Sequence, residues 1–341
     1  MAQEFAYASM YIRVMEKGFI TSQQWQRLLQ SPNIGEAAAV LRETRYSEFF
    51  DKLDHPEDFE IALGEAFKSQ ANEISELIED EPLKNFLYLK YDLHNLKLLI
   101  KQETPVDGEK TKGKKAVDYE PLRFPFGSLP VSQVKEWLHV PSSNPEGTLL
   151  QKAVAEGRET WVKTKDAQEL DFVLDRWSFK IMGQLAKESE VEFFKDYAQK
   201  LTDATNFLSF YRARRQKKTK DFFALVLAEG GAIRPEEFIE RYPMPEPEVG
   251  SLLHKAALGQ DFEKAIADYQ ANGNITALER AKDNLALAMA KKGSRTPTGP
   301  EVLFCYFVIL ETEIQNLRIL LSGKRVGIEP EEIKERMRTH V

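Results

Sequence analysis

Tyr91-Asp-Leu-His-Asn-Leu-Lys-Leu-Leu-Ile-Lys101 returns twice in altered form, as Asp203-Ala-Thr-Asn-Phe-Leu-Ser-Phe-Tyr-Arg212 and Glu313-Ile-Gln-Asn-Leu-Arg-Ile-Leu-Leu321. In each copy an acid stands three residues before an asparagine: Asp92 and Asn95, Asp203 and Asn206, Glu313 and Asn316. Apolar residues lie two before, one after and five after the asparagine, giving Leu93/Leu96/Ile100, Ala204/Phe207/Tyr211 and Ile314/Leu317/Leu321. Steps of three and four place such a set on one helical face, with the acid and amide as neighbours beside it. The pattern therefore predicts three long helices, each closing one of three units.

Other landmarks keep the period, since Asn95, Asn206 and Asn316 are 111 and 110 residues apart. Gly18-Phe-Ile20, Gly127-Ser-Leu129 and Gly231-Ala-Ile233 each precede a short helical pattern. Phe59-Glu60, Leu170-Asp171 and Leu278-Glu279 open matching segments midway through the units. A period this long exceeds that of solenoid repeats. It points to an all-α chain of three similar helical units, residues 1–110, 111–220 and 221–341, related by pseudo-threefold symmetry.

The chain between these landmarks reads as helices separated by proline and glycine. Thr21 or Ser22 caps a helix carrying Trp25 and Leu28, a second runs from Ala37 to Leu41, and an aromatic patch follows at Tyr46, Phe49 and Phe50. Pro56-Glu57-Asp58 then opens a long helix to about Glu79. Pro-Glu pairs recur at 145, 235, 247, 300 and 330. No alternating run is bounded by hairpin turns, so a sheet is not expected.

Composition narrows the function classes. The 341 residues, 42% apolar and 30% charged, are enough for substantial cores. A net charge of −7 argues against a general nucleic-acid binder. The single cysteine, Cys305, sits in an apolar run and reads as a small buried hydrophobe, which excludes a disulfide framework and fits a reducing cytoplasm. The N-terminus has no signal-peptide pattern. The most apolar run, Val302 to Leu310, is nine residues long, short of the roughly 20 that cross a bilayer.

Catalytic, cofactor and metal patterns are not found. His55, His94, His139, His254 and His340 are scattered, without the paired spacing of a zinc helix, and no phosphate-binding loop ends in Gly-Lys-Ser/Thr. Glu311 and Glu313 form a possible acid pair, a common feature of charged helices. Two basic stretches have two readings each. Lys110, Lys112, Lys114 and Lys115 make either a solvated inter-unit linker or a contact with an acidic surface. Arg212, Arg214, Arg215, Lys217, Lys218 and Lys220 follow the middle signature helix. Cations favour a helix C-terminus, but six in nine residues exceed what one helix end uses, and the cluster is also read as a contact with an acidic partner. The acid–asparagine pairs are read as internal packing between helices, with contact to a partner as the alternative.

The last unit carries a more specific pattern. The run Pro300-Glu-Val-Leu-Phe-Cys-Tyr-Phe-Val-Ile-Leu-Glu-Thr-Glu-Ile-Gln-Asn-Leu-Arg-Ile-Leu-Leu-Ser-Gly-Lys-Arg-Val-Gly-Ile328 resembles the C-terminal signature of the C subunits of V-type and A-type ATP synthases, a family that includes the d subunit of the eukaryotic V-ATPase. The Tyr91–Lys101 stretch resembles that family's first-unit motif. The middle copy departs from the pattern: Leu208 stands where Lys97 and Arg318 stand in the outer copies, and Lys200 replaces Leu89 and Leu310.

The resemblance implies a non-catalytic rotor part, without cofactors, in which three helical units form a funnel. The expected partners are the membrane proteolipid ring at its base and the D and F subunits of the central shaft at its mouth, with one copy per complex. The expected location is the cytoplasmic side of the plasma membrane, held there through the complex and not by a span. A free-standing helical adaptor is the alternative.

Overall fold

The computed structural model describes residues 5–104, 119, 123–124, 126–139, 147–244 and 249–338. The Lys110–Lys115 stretch, the Pro-Glu pairs at 145 and 247, and His340 lie outside them. Every regular element among the described residues is helical.

In chain order these are α1 (Ala6–Met15), α2 (Ser22–Gln30), α3 (Ile34–Leu41), α4 (Ser47–Phe50), α5 (Phe59–Glu76), α6 (Glu81–Glu103), α7 (Val131–Trp137), α8 (Leu149–Thr164) and α9 (Ala167–Glu188). They continue with α10 (Glu192–Arg215), α11 (Lys220–Val226), α12 (Pro235–Arg241), α13 (Gly250–Ala256), α14 (Gln260–Asn272), α15 (Ile275–Gly293), α16 (Pro300–Arg325) and α17 (Pro330–Arg336).

Local chemistry sets many of the boundaries. Thr21 and Thr148 each form a reciprocal capping box with a glutamine three residues on. Asn33, Asp80, Asp166 and Thr219 accept from first-turn N–H groups that would otherwise lack a partner. The helix expected from Pro56 begins as a 3-10 turn, Pro56–Asp58, and becomes α-helical at Phe59.

Two compact units result. One combines residues 1–79 with 279–341, and the other is the continuous stretch 80–278. In the first, α16 is the central element, packed by α1, α3, α5 and α17. Its run from Val302 to Leu310 is buried throughout, as a helix apolar on all sides must be. In the second, α9 lies against α6, α8, α10 and α11.

The three signature helices are α6, α10 and α16, of 23, 24 and 26 residues. At 1.5 Å per residue they span roughly 35–39 Å. All nine apolar residues of the repeated pattern are buried. The repeated spacing thus marks the core-facing stripe of each helix, and the acid and amide sit at its margin.

Candidate functional site: three acid–asparagine clasps and a basic helix end

Each acid of a signature helix accepts hydrogen bonds from the backbone of a glycine turn belonging to another sequence repeat. On α6, Asp92 Oδ1 accepts from the N–H groups of Ser128 (2.9 Å) and Leu129 (3.1 Å), and Oδ2 accepts from the Ser128 hydroxyl at 2.5 Å. On α10, Asp203 accepts from Ala232 N–H at 2.8 Å and Ile233 N–H at 3.3 Å. On α16, Glu313 Oε2 accepts from Ile20 N–H at 2.8 Å, while Oε1 accepts from the Tyr46 hydroxyl at 2.7 Å. The order is therefore first helix to second turn, second helix to third turn, third helix to first turn.

The asparagines complete each clasp with a two-way backbone pairing. Asn95 donates to Phe124 O (3.0 Å) and accepts from Phe124 N–H (2.8 Å). Asn206 does the same with Ala228, at 2.9 Å in both directions. Asn316 does so with Arg338, at 3.1 and 2.8 Å. An amide side chain presents one donor and one acceptor side by side, which matches the N–H and C=O of one residue. In the first two clasps the acid and the asparagine hold a single stretch of chain; in the third they hold two segments far apart in sequence.

The glycine at the head of each turn has a steric reason in two of the three cases. A Cβ on Gly127 would overlap Asp92 Oδ1, and one on Gly231 would overlap Asp203 Oδ1. The longer Glu313 side chain lets the carboxylate reach without that crowding, and a Cβ on Gly18 would meet only the Arg45 side chain, at 3.6 Å.

Burial dominates the electrostatics. It pushes Asp203 and Glu313 up to about 6, against the opposing donors, and raises Asp92 as well. Around Asp203, the N–H groups of Ala232 and Ile233 and the charge of Lys255 favour the carboxylate, while Glu237 disfavours it. Around Glu313, the Tyr46 hydroxyl, Ile20 N–H and Arg45 do the favouring. Arg45 is held in turn by Gln70 and Tyr306 and lies over the Phe19 ring.

Ion pairs at the margin also join helices far apart in sequence. Lys97 on α6 meets Asp175 (2.8 Å) and Asp171 (3.5 Å), and Arg318 on α16 meets Glu60 (2.8 Å). These pairs follow the same one-repeat shift as the clasps. The middle equivalent, Leu208, is buried and can form no such pair.

The basic residues group at the far end of α10, in the turn that follows and at the first residue of α11. Arg214 is half-buried, with its guanidinium over Phe210, while Arg212, Arg215, Lys217, Lys218 and Lys220 are exposed. Lys218 Nζ lies 4.9 Å from the centroid of the Phe222 ring. The sequence repeats locate the acids, asparagines and glycine turns, but not their pairing across repeats. Phe124, Ala228 and Arg338 contribute backbone groups, which leave no side-chain signal. Tyr46 stands out in the sequence only as part of an aromatic patch.

Cys305 is buried, and burial raises its thiol well above the ordinary value. Among the described residues, no group of three His, Cys, Asp or Glu side chains is placed to hold a metal ion. No helix among them is long and apolar enough to cross a membrane.

The regular elements of the described residues are all helical, and the repeated acids and asparagines of the three long helices are engaged in holding backbone segments. Residues 11–336 match the family described as ATP synthase (C/AC39) subunit, and the chain belongs to that family. Its members are accessory to the catalytic subunits of A- and V-type complexes. The C subunit of the A-type ATP synthase of Methanocaldococcus jannaschii is 22% identical, covering 97% of this chain and 85% of that protein. The C subunit of the V-type sodium ATPase of Enterococcus hirae is 23% identical over 96% of both chains. The C subunit of the A-type ATP synthase of Thermococcus onnurineus is 21% identical over 97% of this chain and 89% of its own length.

Proposed function

We propose that this chain is the central-rotor coupler of a rotary A/V-type ATPase. It joins the membrane proteolipid ring to the shaft built by the D and F subunits, one copy per complex, and carries torque between ion flow and ATP chemistry. In this reading the three repeats, 1–110, 111–220 and 221–341, form a pseudo-threefold funnel on the cytoplasmic side of the membrane. Asp92, Asn95, Asp203, Asn206, Glu313 and Asn316 stiffen it, and the Arg212–Lys220 cations meet a partner.

The observation that carries the reading is the repeat-to-repeat order of the clasps, in which each acid holds the turn of another sequence repeat. A part that rotates under load needs its helices held firmly to their neighbours. The clasps supply such ties inside each compact unit, two within residues 80–278 and one between the N- and C-terminal parts of the other, through hydrogen bonds that do not depend on surface salt bridges. The family membership supports the complex to which the part belongs.

The test is affinity purification from native membranes in mild detergent, with mass spectrometry of what accompanies the chain. The expected result is a proteolipid together with shaft subunits in near-stoichiometric amounts. Recovery of soluble partners alone, with ATP-driven ion pumping intact after depletion of the chain, would overturn the rotor reading in favour of an adaptor.

A further inference from the structure

A cavity of about 250 Å³ opens between α9, α10 and α11. Its floor and walls are largely carbon: Phe172 and Phe222 meet edge to face at 5.4 Å, joined by Ala213 and Val226. Gln168, Ser209, Arg212 and Gln216 supply its polar lining. Leu225, one turn along α11 from Phe222, is a large apolar side chain 60% exposed. Covering such a side chain with a partner removes apolar area from water, a gain left unused in the isolated chain.

The rim is cationic. Lys218 covers the Phe222 ring, and Arg215, Lys217 and Lys220, close to it in the chain, are exposed. Among the described residues none of these four has a carboxylate within ion-pair distance. Other cations of the same unit do: Lys97 with Asp175, Lys135 with Glu103, Lys200 with Asp196, Lys255 with Glu237. The protein as a whole carries −7, so this local excess is opposite in sign to the net charge of the chain. Like charges crowded into one helix end repel, and an external anion relieves them.

We propose that this groove docks an acidic segment of a partner protein. One or two large apolar side chains of that segment enter the slot against Phe172 and Phe222, and its carboxylates lie on Arg215, Lys217 and Lys218. The slot distinguishes a protein partner from a phosphate backbone, since a polyanion uses the cations and leaves the carbon-lined cavity empty. The inference rests on the chemistry of the groove and not on the rotor reading; a partner from outside an ATPase would satisfy it equally.

The experiment replaces Leu225 with a photo-crosslinking phenylalanine analogue in the full-length chain, irradiates cells that express it, and maps the adducts by mass spectrometry. The expected adduct is one protein segment with a large apolar residue and at least two carboxylates within about one helical turn, roughly four residues. The same adduct is expected to fall several-fold in a chain that also carries Lys217→Glu and Lys218→Glu. Both lysines are exposed, and matching thermal unfolding of the two chains separates lost docking from lost folding. A lipid or nucleic-acid adduct, a segment without acids, no adduct, or a yield indifferent to charge reversal in the folded chain would each overturn the proposal.

Discussion

Glu313 accepts the backbone N–H of Ile20 across 293 residues of chain, at 2.8 Å and with both residues buried. The same role falls to Asp92 and Asp203 over only 29–37 residues. One local device therefore serves both neighbouring and distant segments, and its parts can be tested separately.

Gly231→Ala is expected to destabilise the protein by about 1–3 kcal/mol, because the new Cβ overlaps Asp203 and must displace a buried carboxylate from its donors. Gly18→Ala, with only an ordinary contact to Arg45, is expected to change stability by less than about 0.5 kcal/mol. Chemical denaturation of the two variants checks the difference; equal losses would show that the turns are under the same constraint.

Asn206→Leu leaves the N–H and C=O of Ala228 buried without their partner, at a cost of about 1–3 kcal/mol. Asn95→Leu should cost less, since Asn95 is half-buried and water can reach the Phe124 backbone in its place. Thermal unfolding of both variants orders them, and a larger loss at Asn95 would contradict the argument.

Asp203 and Glu313 make stability depend on pH in a definite direction. Their folded values of about 6 lie above the unfolded values near 4. Between the two, the folded state binds more protons than the unfolded state, so their contribution falls as pH rises from about 4 to about 6 and stays low above that. Asp203→Asn should remove its share of this dependence, roughly 1.4 kcal/mol for each unit of difference. Denaturation midpoints of parent and variant at pH 5 and pH 7.5 measure it; parallel pH profiles would count against a raised Asp203.

Arg338 separates side-chain from backbone contributions. Arg338→Ala loses the ion pair to Asp283 (2.7 Å) but keeps the backbone pairing with Asn316, and should cost less than about 1 kcal/mol. Deletion of residues 336–341 removes the pairing itself and should cost more, about 1–3 kcal/mol. Equal effects in denaturant would place the stabilisation in the ion pair.

The three signature helices are legible in the sequence because their apolar stripe, acid and asparagine repeat at fixed spacing, and the glycine turns are legible as matching landmarks. What the repeats conceal is that the acid of one sequence repeat belongs physically to the turn of another. Residues such as Asp92 and Gly127 have counterparts in every copy whether a clasp closes within a repeat or between repeats, so the pattern is the same for both. The Lys97 and Arg318 pairs add charge complementarity across repeats, a signal open to a search for opposite charges at shifted positions. The deep burial of Asp203 and Glu313 depends on elements far away in sequence and cannot be read locally.

The third clasp also sets the order of events during synthesis. Ile20 leaves the ribosome early and Glu313 follows 293 residues later, so at roughly 5–20 residues per second the first helices wait on the order of tens of seconds for α16. Until then Ile12, Leu28 and Phe59, all buried in the finished protein, lack the helix around which their unit is built. A prematurely ended chain would keep that surface exposed for its whole lifetime, giving chaperones and proteases a direct way to tell an incomplete copy from a finished one.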